Sequence, residues 1–378
     1  MHSIAIIDKN RVNLKRGILT NDSLEGLNII ERNDTILKSM IKNKVDVLEN
    51  EIKNKYPDVL ETLLFDRTTR SNILWATDNY KSLGNGYEHN SPITIELITG
   101  THGNIILPRS KKKKSIQQAR SRDMAEVFTP SWVCNAQNNL IDNAWFGCED
   151  VFNTEKEKPD GTKNWETNKN KVVFPKGKTC KHYIKENRLE VTCGEAPYIT
   201  SRYDTTTGEF IAVENRIGLL DRKLRVINEN LDTSGDWLEA AQIAYKSIYA
   251  FEWQGDNLLL AREAMLITFI ENYLLKFGKE PLQKSIKYIA YIISWNVWQM
   301  DGLKGVVPNS CKSQVTEQHD LFGDIEKIIK QCEGCMKENI SKHNGEYCII
   351  RDWNYNDTKS EKKRREIKFI ELLQRVTK

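Results

Sequence analysis

The side chains best suited to chemistry fall in two groups. The first is compact. Cys332-Glu333-Gly334-Cys335 forms a C-x-x-C pair, and His343 and Cys348 follow it. Two thiolates at that spacing reach one ion, and a later His and Cys complete a tetrahedron, so a zinc site on Cys332, Cys335, His343 and Cys348 is expected. Cys311 and His319 are substitutes for one of these ligands. Four protein ligands leave no open coordination position, so the ion would be structural. The competing reading is a plain C-x-x-C at a helix end, with His343 exposed.

The second group is spread along the chain. Leu189-Glu190-Val191-Thr192-Cys193-Gly194-Glu195 reads as a strand running into a tight turn that carries carboxylates. In an open α/β sheet ligands bind at the carboxyl ends of strands, and a glycine there admits them close to the backbone. Some fifty residues on, Glu252 and Trp253 close another apolar run. A carboxylate in that place can accept both hydroxyls of a ribose, and the indole can pack on an adenine face. Asp301 follows a third run and can accept from an adenine amino group. Phe128-Thr129-Pro130, upstream of all three, could cover a purine. Each feature also has a plain reading as a strand end, a surface carboxylate or a helix stop. Their order along the chain is what suggests one crevice.

The elements needed to position these groups follow from periodicity. Residues 188–302 alternate apolar runs with amphipathic stretches, which predicts a mainly parallel sheet. Helix-like spacing marks Ile36–Leu64 and short strands and turns mark 66–108, an N-terminal α+β region over 1–108. Residues 150–182 read as a loop or hairpin insertion, and the C-terminus as a hairpin with a helical tail. Lys111-Lys112-Lys113-Lys114, with Arg120 and Arg122 downstream, is open to two readings: a solvated loop, or a site that attracts phosphates.

Composition narrows the field. The 378 residues predict two or three domains, and a net charge of +4 excludes a strongly acidic, solvating chain. Eight cysteines in this length is too sparse for a disulfide scaffold. With no apolar run of about 18 residues and no signal-peptide pattern, the expectation is a reduced, cytoplasmic protein that does not enter a membrane. A nuclease is disfavoured, because the sequence shows no convincing Pro-Asp…Asp/Glu-x-Lys arrangement.

The blocks Glu126-Val127-Phe128-Thr129-Pro130, Glu190 to Gly194, YAFEW ending at Trp253, and WQMDG containing Asp301 resemble N6-adenine DNA methyltransferases of restriction–modification systems, in particular their modification subunits. The likeness spans about residues 105–305. It implies an α/β, Rossmann-like S-adenosylmethionine-binding sheet over 109–310, between the 1–108 region and a small zinc-knuckle-like module at 311–378. It also implies roles: Phe128, Thr129 and Pro130 covering the cofactor, Glu190, Cys193, Gly194 and Glu195 around its methionine end, Glu252 at the ribose, and Asp301 at the adenine. Double-stranded DNA would be the substrate. Pro197 stands where that family has a small residue. The family's catalytic [Asp/Asn]-Pro-Pro-aromatic tetrapeptide is missing, since no Pro-Pro pair occurs among nine prolines. Glu195-Ala196-Pro197-Tyr198 imitates it but sits in the cofactor turn. Catalysis would then need a partner chain, and the alternative is a non-catalytic DNA-binding or assembly subunit of a defence complex.

Overall fold

Short apolar runs separated by paired helices build a parallel sheet, because parallel strands need long crossovers and helices supply them. Arg188–Glu190 (β1), Ile248–Glu252 (β2) and Val297–Gln299 (β3) lie in the order β1-β2-β3, with Glu190 opposite Ala250 and Glu252 opposite Gln299. The computed structural model describes residues 4–8, 11–15, 49–319, 325–353 and 366–376. Two units divide the chain, Met1–Lys44 and Val45–Lys378. In the first, Ile4–Asp8 pairs antiparallel with Arg11–Lys15. The parallel sheet belongs to the second.

Of the helices that precede the sheet, two border the site, Lys114–Met124 (α1) and Ser131–Phe146 (α2). Leu219–Asn230 (α3) and Ser234–Lys246 (α4) connect β1 to β2. Gly255–Phe277 (α5) and Gln283–Asn296 (α6) connect β2 to β3. Helix α5 is rich in Leu and Ala, which favour helix, and ends at Gly278 in the left-handed conformation. Most of its circumference is buried, the pattern of a central helix. Its buried charges are all partnered. Arg262 donates to the Val297 carbonyl, Glu271 pairs with Arg202 and Arg216, and Asp256 pairs with Arg120 and Lys112.

The main core gathers Trp237, Phe269 and Tyr273 with the apolar faces of α3 to α6. A second core joins Phe251 and Trp298 of the sheet to Met300, Val307, Cys348, Ile350 and Phe369. The expected hairpin insertion is present as Asn153–Glu157 paired with Lys163–Thr167. The C-terminal hairpin, Ile349–Arg351 with Glu366–Lys368, leads into the helix Phe369–Val376. One expectation changes near the N-terminus. Ile95–Ile98, read as part of a strand, is one helical turn, because an apolar run this short is decided by its surroundings. Of the amphipathic stretch at 36–64, Glu49–Lys55 and Pro57–Leu64 are helical, and the earlier part lies outside the described residues. Among the described residues, no helix is long and apolar enough to cross a membrane.

Candidate functional site

A cavity of about 700 Å³ opens at the carboxyl ends of β1 and β2. The turn after β1 forms one wall. Thr192, Gly194 and Ala196 there all have positive φ, at 49°, 54° and 59°. Glycine takes this conformation freely, whereas a β-branched Thr does so at a cost of about 1–3 kcal/mol, a kind of strain concentrated at functional sites. Two bonds hold the turn to β2. The Cys193 amide donates to the Phe251 carbonyl at 2.9 Å, and the Gly194 amide to Glu252 Oε2 at 2.9 Å. The second oxygen of Glu252 accepts the Gln254 amide at 3.1 Å.

Phe128 stands against this turn. A Cβ built on Gly194 would lie 3.4 Å from its ring, so turn and ring are in contact distance. Thr129 also lines the cavity, whereas Pro130 sits just outside it, at the start of α2. Trp253 lines it too, its indole N–H donating to the Ala76 carbonyl at 3.2 Å.

Glu126, Glu190 and Glu252 are buried and line the cavity, and Glu126 is paired with Arg120 at 2.7 Å. Burial pushes the Glu252 carboxyl up to about 7 against the pull of the Gly194 and Gln254 amides. Burial likewise raises Glu190, and it raises the Cys193 thiol, so that sulfur is a neutral wall group and no nucleophile. Three buried side-chain atoms of lining residues have no hydrogen-bond partner: Glu126 Oε1, Asn138 Oδ1 and Glu190 Oε2. Glu126 Oε1 and Asn138 Oδ1 are acceptors, whereas burial keeps a proton on Glu190, so its carboxyl can also donate.

Of the residues singled out in the sequence, Phe128, Thr129, Glu190, Cys193, Gly194, Glu252 and Trp253 meet on this cavity. Glu195 and Asp301 do not. Glu195 is turned away, accepting the Arg109 amide at 2.6 Å and the Tyr203 hydroxyl at 2.5 Å. Asp301 accepts the Leu303 and Lys304 amides, pairs with Lys304 Nζ at 3.1 Å, and lines a separate cleft beside Cys311 and Cys335. Asn138, Gln254 and Asn257 line the cavity and were not singled out, because buried amides on helices carry no spacing signal in the sequence.

The metal cluster is the second site. Cys311, Cys332, Cys335 and His343 bring their ligand atoms within 4.8 Å of one another and could hold a metal such as zinc. The three sulfurs lie 3.6, 3.7 and 3.6 Å from His343 Nδ1. A tetrahedral ion at about 2.3 Å from sulfur and about 2.0–2.1 Å from nitrogen requires separations of about 3.6 Å. Burial opposes ionisation of Cys332, yet the amides of Asn344 and Cys335 outweigh it and draw the thiol down to about 6. Gly334 is required, since a Cβ there would come within 2.6 Å of the His343 backbone nitrogen and Nδ1. The expected set is corrected at one position. Cys348 is buried in the second core and donates to the Gln299 carbonyl at 3.3 Å, and Cys311 takes its place. Chain spacing favoured Cys348, only five residues past His343. The fold instead returns Cys311, 21 residues ahead of Cys332. The His319 side chain lies outside the described residues.

No protein-family model, curated protein or solved structure matches the chain.

Proposed function

We propose that this chain is the S-adenosylmethionine-binding subunit of a DNA adenine-N6 methyltransferase, with a Rossmann-like cofactor sheet and the catalytic tetrapeptide on a partner chain. The observation that carries the reading is the cavity, where the turn after β1, the carboxylate ending β2 and the Phe128-Thr129 segment converge. The donor set fits. The cofactor's ribose hydroxyls and adenine amino group offer hydrogen-bond donors to Glu252 and to the carboxyl and amide groups that line the cavity. When bound, S-adenosylmethionine supplies an electrophilic methyl group. The chain's own residues bind and orient. Glu252 has lone pairs left to accept the ribose hydroxyls. Glu190 and the Cys193–Gly194 turn face the methionine end. Trp253 and Phe128 exclude water from the purine. Glu195 and Asp301 take no direct part: Glu195 anchors the Arg109 segment, and the amino-group acceptor is sought among the cavity's own residues.

The absence of a Pro-Pro pair favours the second reading, a non-catalytic DNA-binding or assembly subunit. Calorimetric titration of the chain with S-adenosylmethionine separates the two. The expected result is low-micromolar binding, about −8 kcal/mol, weakened at least about tenfold in Glu252→Gln, about 1.4 kcal/mol. No heat of binding, with or without the partner chain, leaves the second reading standing.

A further inference from the structure

We propose that duplex DNA lays its phosphate backbone along one face of α1, immediately beside the cofactor cavity. The proposal rests on the methyl-transfer reading of that cavity for its substrate, and on a separate set of residues for its evidence. A groove of about 540 Å³ is lined by Arg109, Lys114, Gln117, Gln118, Ser121 and Arg122. Positions 114, 117, 118, 121 and 122 recur at helical spacing and share one face of α1. Five of the six side chains have donors to offer, the Ser121 hydroxyl being given to the Glu126 carbonyl; three carry full positive charge, and none is acidic. Exposed Lys111 and Lys113 extend the charge ahead of the helix.

The basic stretch is divided between two tasks. Lys112 and Arg120 face inward, buried against Asp256 and Glu126. The remaining cations face outward. Arg122 pairs with Asp123 at 2.7 Å, with both side chains well exposed, and an exposed pair of this kind is worth about 0–1 kcal/mol, so a phosphate can displace it. Arg109 links groove to cavity: its guanidinium lies 5.2 Å from the centre of the Phe128 ring, and its Nη2 donates to Ser121 Oγ at 3.1 Å. From Lys114 to Arg122 the helix rises about 12 Å, three to four base-pair steps at about 3.4 Å each. The lining contains charge and donors but no aromatic ring. Single strands are bound with stacking platforms, so this composition points to a duplex backbone.

The test is fluorescence anisotropy of the full chain with a labelled mixed-sequence duplex DNA at two salt concentrations. Replacing Lys111, Lys113, Lys114 and Arg122 by Gln should weaken binding at least about tenfold and flatten the slope of log affinity against log salt by about 0.9 for each phosphate no longer neutralised. A control removes the same charge elsewhere, with Lys181, Lys185, Lys279 and Lys284 changed to Gln, and should stay within about threefold of wild type. Unchanged affinity in the groove variant, or an equal loss in the control, overturns the groove. Tighter binding of duplex RNA with the same sensitivity to the groove substitutions overturns the DNA assignment. A parallel S-adenosylmethionine titration keeps the two readings apart. DNA binding through the groove without cofactor binding overturns the methyl-donor reading alone. Cofactor binding without a groove effect overturns this proposal alone.

Discussion

Glu252 performs two tasks with one carboxylate: it fastens the Gly194 turn and it faces the cavity. Its folded value of about 7 lies above that of an unfolded glutamate, about 4.3. The folded state therefore keeps a proton that the unfolded chain has already released. The group costs nothing in acid, and its cost grows as pH rises through 7. Glu252→Gln stays neutral throughout, so its melting temperature relative to wild type should climb between pH 5 and pH 8. A flat difference would mean that this carboxylate is not desolvated. Hydroxyl donors favour the ionised form, so affinity for S-adenosylmethionine should improve over the same range in wild type and not in the variant. The cysteines divide just as sharply. Cys335→Ser should lose stoichiometric zinc by elemental analysis, whereas Cys348→Ser should retain it, since that sulfur serves a core contact.

At the scale of elements, the bond between α1 and the start of α5 is a buried ionic network. Arg120 contacts Glu126 at 2.7 Å and Asp256 at 2.8 Å, while Lys112 reaches Asp256 at 3.4 Å and Tyr80 donates to it at 2.8 Å. Burial alone would raise Asp256, but Arg120 and Lys112 outweigh that and hold its carboxyl well below the usual range. Removing one member leaves unmatched charge in a dry place, which costs about 3–5 kcal/mol. Arg120→Leu should therefore lower the unfolding free energy from denaturant titration by that amount, while Lys114→Leu on the exposed face leaves it nearly unchanged. The same four-lysine run shows why its reading stayed open from sequence: Lys112 and Lys113 are adjacent and chemically identical, and only Asp256, 144 residues from Lys112, makes one of them internal.

For the whole molecule, the metal cluster ties distant segments together. Cys311 follows the loop leaving β3, and Cys332, Cys335 and His343 lie beyond a second hairpin, Gln314–His319 with Ile325–Lys330. The Val307 amide donates to Glu346, and the Cys348 amide to Gly305. Structural zinc contributes directly to folding free energy. Chelation should lower the melting temperature and raise hydrogen exchange in 305–312 and 332–347, with β1 and β2 still protected. Equal exchange with and without chelator would show that the cluster holds no metal.

Much of this was present in local patterning. The helices α3 to α5 and strand β2 follow from periodicity and from Leu- and Ala-rich composition, and the turn after β1 from Gly194 at the end of an apolar run. The C-x-x-C pair and His343 were equally plain, because neighbouring residues meet whatever the rest of the chain does. Other assignments depended on tertiary structure alone. Cys311 replaces Cys348 because the fold carries one sulfur to the cluster and seats the other against Phe251 and Trp298. Asp301 and Glu195 leave the cavity because nearer amides, a lysine and a tyrosine capture their carboxylates. Glu126, in the loop between α1 and α2, and Asn138, on α2, enter it because the fold brings that segment against strand ends far along the chain. Sequence determines which side chains can do chemistry and the local elements that carry them. Which of them share one dry space is decided by long-range packing, where burial and competition for hydrogen-bond partners act between residues that no local pattern connects.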